Sequence, residues 1–64
     1  MKTKQYTVTK RCYSLQESEK IRDEVHQEFV MEFCNRNIPI TAITSQVLFD
    51  YLNFECIVKI IVKY

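Results

Sequence analysis

His26 and the three cysteines Cys12, Cys34 and Cys56 are the residues best equipped for chemistry in this 64-residue chain. Together they could make a Cys3His zinc set, but compact zinc sites draw ligands in closely spaced pairs, and no CxxC pair exists here. The four also fall on three different expected elements. His26 is therefore assigned to the edge of a helix's apolar stripe, and the cysteines to small buried apolar positions. A Cys–His nucleophile and base would need an oxyanion site, which no Gly-rich turn provides. Glu17, Glu19, Asp23, Glu24, Glu28 and Glu32 are numerous, yet they read as a solvated helix face and not as a paired acid and base. Glycine is absent altogether. Phosphate-cradling loops and dinucleotide fingerprints depend on it, so nucleotide chemistry by those routes is excluded. The expectation is a protein that is not an enzyme, with no cofactor and no metal.

The elements that carry these residues follow from spacing. Residues 4 to 13, KQYTVTKRCY, alternate, with Tyr6, Val8 and Cys12 on one side and Gln5, Thr7, Thr9 and Arg11 on the other, which predicts an amphipathic strand. Ser14 and Glu17 have the spacing of a capping box, so a helix is expected from Leu15. It runs to about Arg36, with Ile21, Val25, Phe29 and Phe33 as its apolar stripe and Arg22 near the middle of that stripe. Asn35, Asn37 and Pro39 end it. Ile40 to Phe49 predicts a second strand, with Ile43, Val47 and Phe49 on one side and Ile40, Ala42 and Leu48 on the other. DYLN at 50 to 53 predicts a loop of four or five residues. Phe54 to Tyr64 predicts the third strand, whose buried row is Phe54, Cys56, Val58, Ile60, Val62 and Tyr64.

The third strand is the most apolar on both sides, so it belongs in the middle. The expected fold is α+β, one domain over 1–64, β-α-β-β, with a three-stranded sheet in order 1-3-2 and one helix on one face. That leaves a face with no cover. Ile57 and Ile61 lie on it, and with Lys59, Lys63, Thr7 and Thr9 they make the expected interface, to which Met31 on the helix is added. Such a patch signifies self-association unless the stems of Lys59 and Lys63 fold over the isoleucines.

The chain is 47% hydrophobic and 27% charged, as a folded domain is, and its formal net charge of +1 hides a segregation. Residues 1 to 11 carry Lys2, Lys4, Lys10 and Arg11 with no acid, while the helix holds six acids. A second reading follows, in which Arg11, Tyr13, Lys59 and Lys63 form a basic, partly aromatic platform for single-stranded nucleic acid. The basic start is followed by no signal-type apolar run, and no stretch is long enough to span a bilayer. A cytoplasmic protein with no membrane partner is expected, and three unpaired cysteines fit its reducing conditions.

The β-α-β-β order, the length, the helix ending EFCNRNIPITAI and the closing IVKIIVKY resemble a family of very short sporulation-associated proteins of Gram-positive bacteria. The likeness covers about residues 14 to 64. That family's biochemical role is not established, so the resemblance implies a fold and no activity. The element order is also similar to that of dodecins, which assemble through their sheets, although this chain lacks the Trp that stacks on flavin in them. It resembles as well the small accessory proteins of phages and mobile elements, many of which inhibit a host enzyme by occlusion. The function expected is a homo-oligomeric protein–protein interaction module with a possible cellular or host protein partner.

Overall fold

The computed structural model describes all 64 residues, and the strands form where alternation and β-branched residues predict them. They are β1 (Thr3–Arg11), the helix α1 (Leu15–Asn35), β2 (Ala42–Asp50) and β3 (Glu55–Lys63). The sheet order is β1-β3-β2, with β3 antiparallel to both neighbours, so the fold is α+β with β3 central. Cys56, Val58, Ile60 and Val62, every second residue of β3, are completely buried under the helix. Val25 and Phe33 descend from α1 onto them, and Cys12 seals one end. Burying a row of this kind removes from water most of the apolar surface that the sheet can contribute, at about 1.5–3 kcal/mol for each large side chain.

The helix begins as its cap dictates. Ser14 is extended, and its hydroxyl accepts the Glu17 amide at 3.1 Å, satisfying one of the otherwise unpartnered first-turn donors. Ser18 is fully buried, and its hydroxyl donates to the Leu15 carbonyl at 2.6 Å. At the other end Asn37 takes φ 58°, the Asn37 amide donates to the Cys34 carbonyl and the Ile38 amide to the Phe33 carbonyl. That is a Schellman cap with asparagine in the place usually held by glycine, and Ile38 packs into the core beside it.

Three expectations shift. Phe54 is not in β3 but takes φ 53° in the turn and is 47% exposed. It ends a four-residue connection, 51 to 54, held by Asp50, whose carboxylate accepts the Leu52 and Asn53 amides and the Asn53 side-chain amide. Ile40 precedes β2 and packs against the core instead of lying on the open face, because the chain has not yet entered the pleat. Cys34 is exposed, unlike the buried Cys12 and Cys56, since it sits on the outer side of α1.

Candidate interface on the open sheet face

The register fixes which residues share the face turned away from α1. Across β3 it carries Glu55, Ile57, Lys59, Ile61 and Lys63, with Thr3, Gln5, Thr7, Thr9 and Arg11 opposite them on β1. On β2 it carries Ala42, Thr44, Gln46, Leu48 and Asp50. No element covers this face. Leu48 stands directly opposite Ile57 towards the hairpin end, and Ile61 lies two pleats further along β3, beyond Lys59. Leu48 is 65% exposed and Ile61 37%, whereas Ile57 is half-buried among its neighbours.

The six expected sheet residues are thus brought together: Thr7 opposes Lys59, Thr9 opposes Ile57, and Ile61 and Lys63 complete the row. Met31 is not among them. It is exposed on α1, an element packed on the sheet's other face, so it belongs to no contact made by Ile57 and Ile61. Leu48 is the larger apolar contributor, and its signal in the sequence was its place in the run VLF, which puts at least one large apolar side chain on the outer face whatever the register.

Charge is distributed less simply than the sequence suggests. Arg11 lies opposite Glu55, and Glu55 is flanked on its other side by Asp50. Lys63 lies at the far end, and Lys59 stands at the middle of β3 between Thr7 and Gln46. The face is therefore acidic at the hairpin end and basic at the other, and Arg11 does not join the two lysines in one basic patch. Tyr13 is 60% exposed beyond the end of β1, its ring 5.6 Å from that of Phe54 and thus partly occupied. The hydrogen bonds around Asp50, that from the Asn53 side chain foremost, hold its carboxyl below the usual range, so the acidic end keeps its charge.

On the other side of the sheet α1 leans over β2 and β3. His26 anchors it there, with Nδ1 3.0 Å from the Ser45 hydroxyl. A shallow groove of about 350 Å3 remains between α1 and β1, lined by Tyr6, Phe29, Phe33, Glu28, Glu32 and Arg36. Its aromatic floor is consumed internally: Tyr6 packs on Phe29 at 4.7 Å, and Phe33 meets Tyr64 edge-on at 5.2 Å. Arg36 pairs with Glu32 at 2.7 Å. Arg22, central in the predicted stripe, is partly exposed and bonds Asp23 at 3.3 Å. The Cys12 thiol donates to the Ser14 carbonyl, and burial pushes the Cys56 thiol up, with Cys12 nearby adding to the effect. No three histidine, cysteine or carboxylate side chains gather closely enough to hold a metal ion, and no helix is long and apolar enough to cross a membrane.

Comparison with protein-family models, curated proteins and solved structures gives no match.

Proposed function

We propose that this protein is a non-enzymatic interaction module that self-associates through its open sheet face. The observation that carries this reading is the set of exposed or half-buried apolar side chains Leu48, Ile57 and Ile61 on a face with no covering element. Large apolar side chains interleaved with threonine, glutamine and charge match the mixed composition of a protein–protein interface. The resulting assembly serves either as a structural subunit, as sporulation-associated accessory proteins of this size would, or as a blocking protein that occludes a cellular or host partner. Its α1 surface, with Glu19, Asp23, Glu24 and Glu28, stays outward for such a partner. A cytoplasmic location suits the free thiols.

The test is mass in solution by light scattering across concentration for the wild type and the Ile57→Lys, Ile61→Lys double variant, with an oligonucleotide titration alongside. The expected result is an oligomer in the wild type and a folded species of lower mass in the variant. A variant that keeps the wild-type mass sinks the face assignment. Salt-sensitive oligonucleotide binding that is lost with Lys59 and Lys63 would put the nucleic-acid reading in its place.

A further inference from the structure

The two edges of the sheet are not alike. The parity of the ladder decides which backbone groups each edge presents. The Lys2 amide donates to the Tyr64 carbonyl and the Tyr64 amide returns the bond to Lys2, while the Cys12 amide donates to the Phe54 carbonyl. The even residues of β1 therefore bond the even residues of β3, and β2 must bond the odd ones through Thr44, Gln46 and Leu48. It follows that Ile43, Ser45, Val47 and Phe49 hold their amides and carbonyls out along the free edge of β2, as Thr3, Gln5, Thr7 and Thr9 do along β1.

Edge strands of stable monomers are blunted by charge, proline, bulges or brevity. β1 is guarded by Lys4, Lys10 and Arg11, with Lys2 just before it. If two copies paired β1 to β1 about Thr7, Lys4 would stand opposite the second copy's Lys10, twice over, and like charges opposed across strands are destabilising. β2 has none of these devices. From Ala42 to Phe49 it contains no charge, no proline and no glycine, its register runs unbroken for nine residues, and Ile43, Val47 and Phe49 make its helix side apolar. Turned antiparallel about Gln46, it is self-complementary: Ile43 meets the second copy's Phe49, Ser45 meets Val47, Thr44 meets Leu48, and Asp50 meets uncharged Ala42. The outward groups fall in register for about eight hydrogen bonds.

We infer that β2 pairs with β2 of a second copy to make a continuous six-stranded sheet. The size of the open face supports the same occupant. Nine residues by three strands give a face of roughly 30 by 14 Å, about 430 Å2, so two such faces stacked bury under the ~1,000 Å2 expected of a stable interface. Edge pairing doubles the face. A two-fold normal to the sheet at the edge and a two-fold in the plane between stacked faces are perpendicular, and together they close a four-copy sandwich with its helices outside. This last step alone rests on the proposed face contact. Stacked with strands antiparallel, the acidic end at Asp50 and Glu55 covers the second copy's Lys63, Ile57 covers its Ile61, and the two Lys59 side chains face each other at the centre, a like-charge contact that works against stacking.

Amide hydrogen exchange by NMR, corrected for intrinsic rates, separates the edges within one molecule. Ile43, Ser45, Val47 and Phe49 are expected to exchange at least about tenfold more slowly than Thr3, Gln5, Thr7 and Thr9 at millimolar protein. The difference should persist in the Ile57→Lys, Ile61→Lys variant, which tests the face and not the edge. In the full chain made by chemical synthesis, N-methylation of the Val47 amide should abolish the protection at Ile43, Ser45 and Phe49 and lower the mass by half, while N-methylation of Thr7 leaves both unchanged. If the two edges exchange alike at the highest concentration, or if the N-methyl Val47 chain keeps wild-type mass, edge pairing is overturned. An oligomer with fast β2 amides would leave the face contact standing alone.

Discussion

Leu48 should govern self-association more strongly than either isoleucine of β3. Complete burial of a leucine or isoleucine side chain is worth about 1.5–3 kcal/mol, and only the fraction still exposed in the free chain can contribute to association. Leu48 is 65% exposed, which leaves about 1–2 kcal/mol per copy, or about 2–4 kcal/mol when the contact is symmetric. Ile61 is 37% exposed, giving about 1–2 kcal/mol for both copies. Ile57 is already half-buried and offers less.

In affinity, where 1.4 kcal/mol is tenfold, Leu48→Thr should weaken association by about 30- to 700-fold and Ile61→Thr by about 6- to 40-fold. These are upper values, since the contact need not bury either residue fully. Threonine suits a strand and fills the exposed pleat, so both variants should fold with little change in thermal midpoint. Sedimentation equilibrium on the wild type and both variants, with melting followed by circular dichroism, gives the comparison directly. Should Ile61→Thr cost as much as Leu48→Thr, or should neither alter the dissociation constant by more than about twofold, the face is not the contact surface and the reasoning from exposure fails.

The helix cap and the two titrations make further predictions. Asn37→Ala removes the short polar side chain that makes φ 58° tolerable to a residue with a Cβ and should cost about 1 kcal/mol, a drop of about 4–8 °C in Tm, whereas Asn37→Gly should hold or raise it. The Asp50 carboxyl, held low by Asn53, supplies hairpin stability that is present above its unfolded value and lost as pH falls through the folded one. Its carbon-13 titration should therefore have a midpoint below 3.8, and Asn53→Ala should move that midpoint upward. Cys56 shows the opposite sign: its thiol is raised from 9.0, so its contribution is intact below that value and fades as pH climbs above it. Maleimide on the folded protein at neutral pH should label Cys34 quickly and Cys12 and Cys56 only after denaturant is added.

The parts of this fold that were legible in the sequence are those set by period. The capping Ser14, the stripe through Val25 and Phe33, and the central place of β3 all follow from spacing and from apolar residues on both of its sides. The open face was legible for the same reason, because alternation assigns Ile57 and Ile61 to one side once Val58 and Ile60 take the other. Met31 could have been left out on the expected fold alone, because a helix on one face of the sheet turns its outward side away from Ile57 on the other. What escaped was position along the third dimension. Phe54 looks like the first residue of a strand by type, and its φ of 53° is imposed by the turn that Asp50 builds. In a chain without glycine no residue marks such a position in advance.

That missing glycine also explains how the hairpin and the first strand are tied together. A bulky residue in the left-handed region costs about 1–2 kcal/mol, so Phe54 stays there only because surrounding contacts over-determine it. Its carbonyl accepts the Cys12 amide at 3.0 Å, and its ring packs on Tyr13. The chain leaving β1 is thus clamped to the turn between β2 and β3 just before Ser14 opens the helix. One junction fixes where the helix starts, where the hairpin ends and where Asp50 and Glu55 stand on the open face. At the acidic end of that face the Asp50 carboxylate is held in place by the Leu52 and Asn53 amides and the Asn53 side chain. A carboxylate fixed in this way meets a cation without the ordering cost that a flexible one would incur.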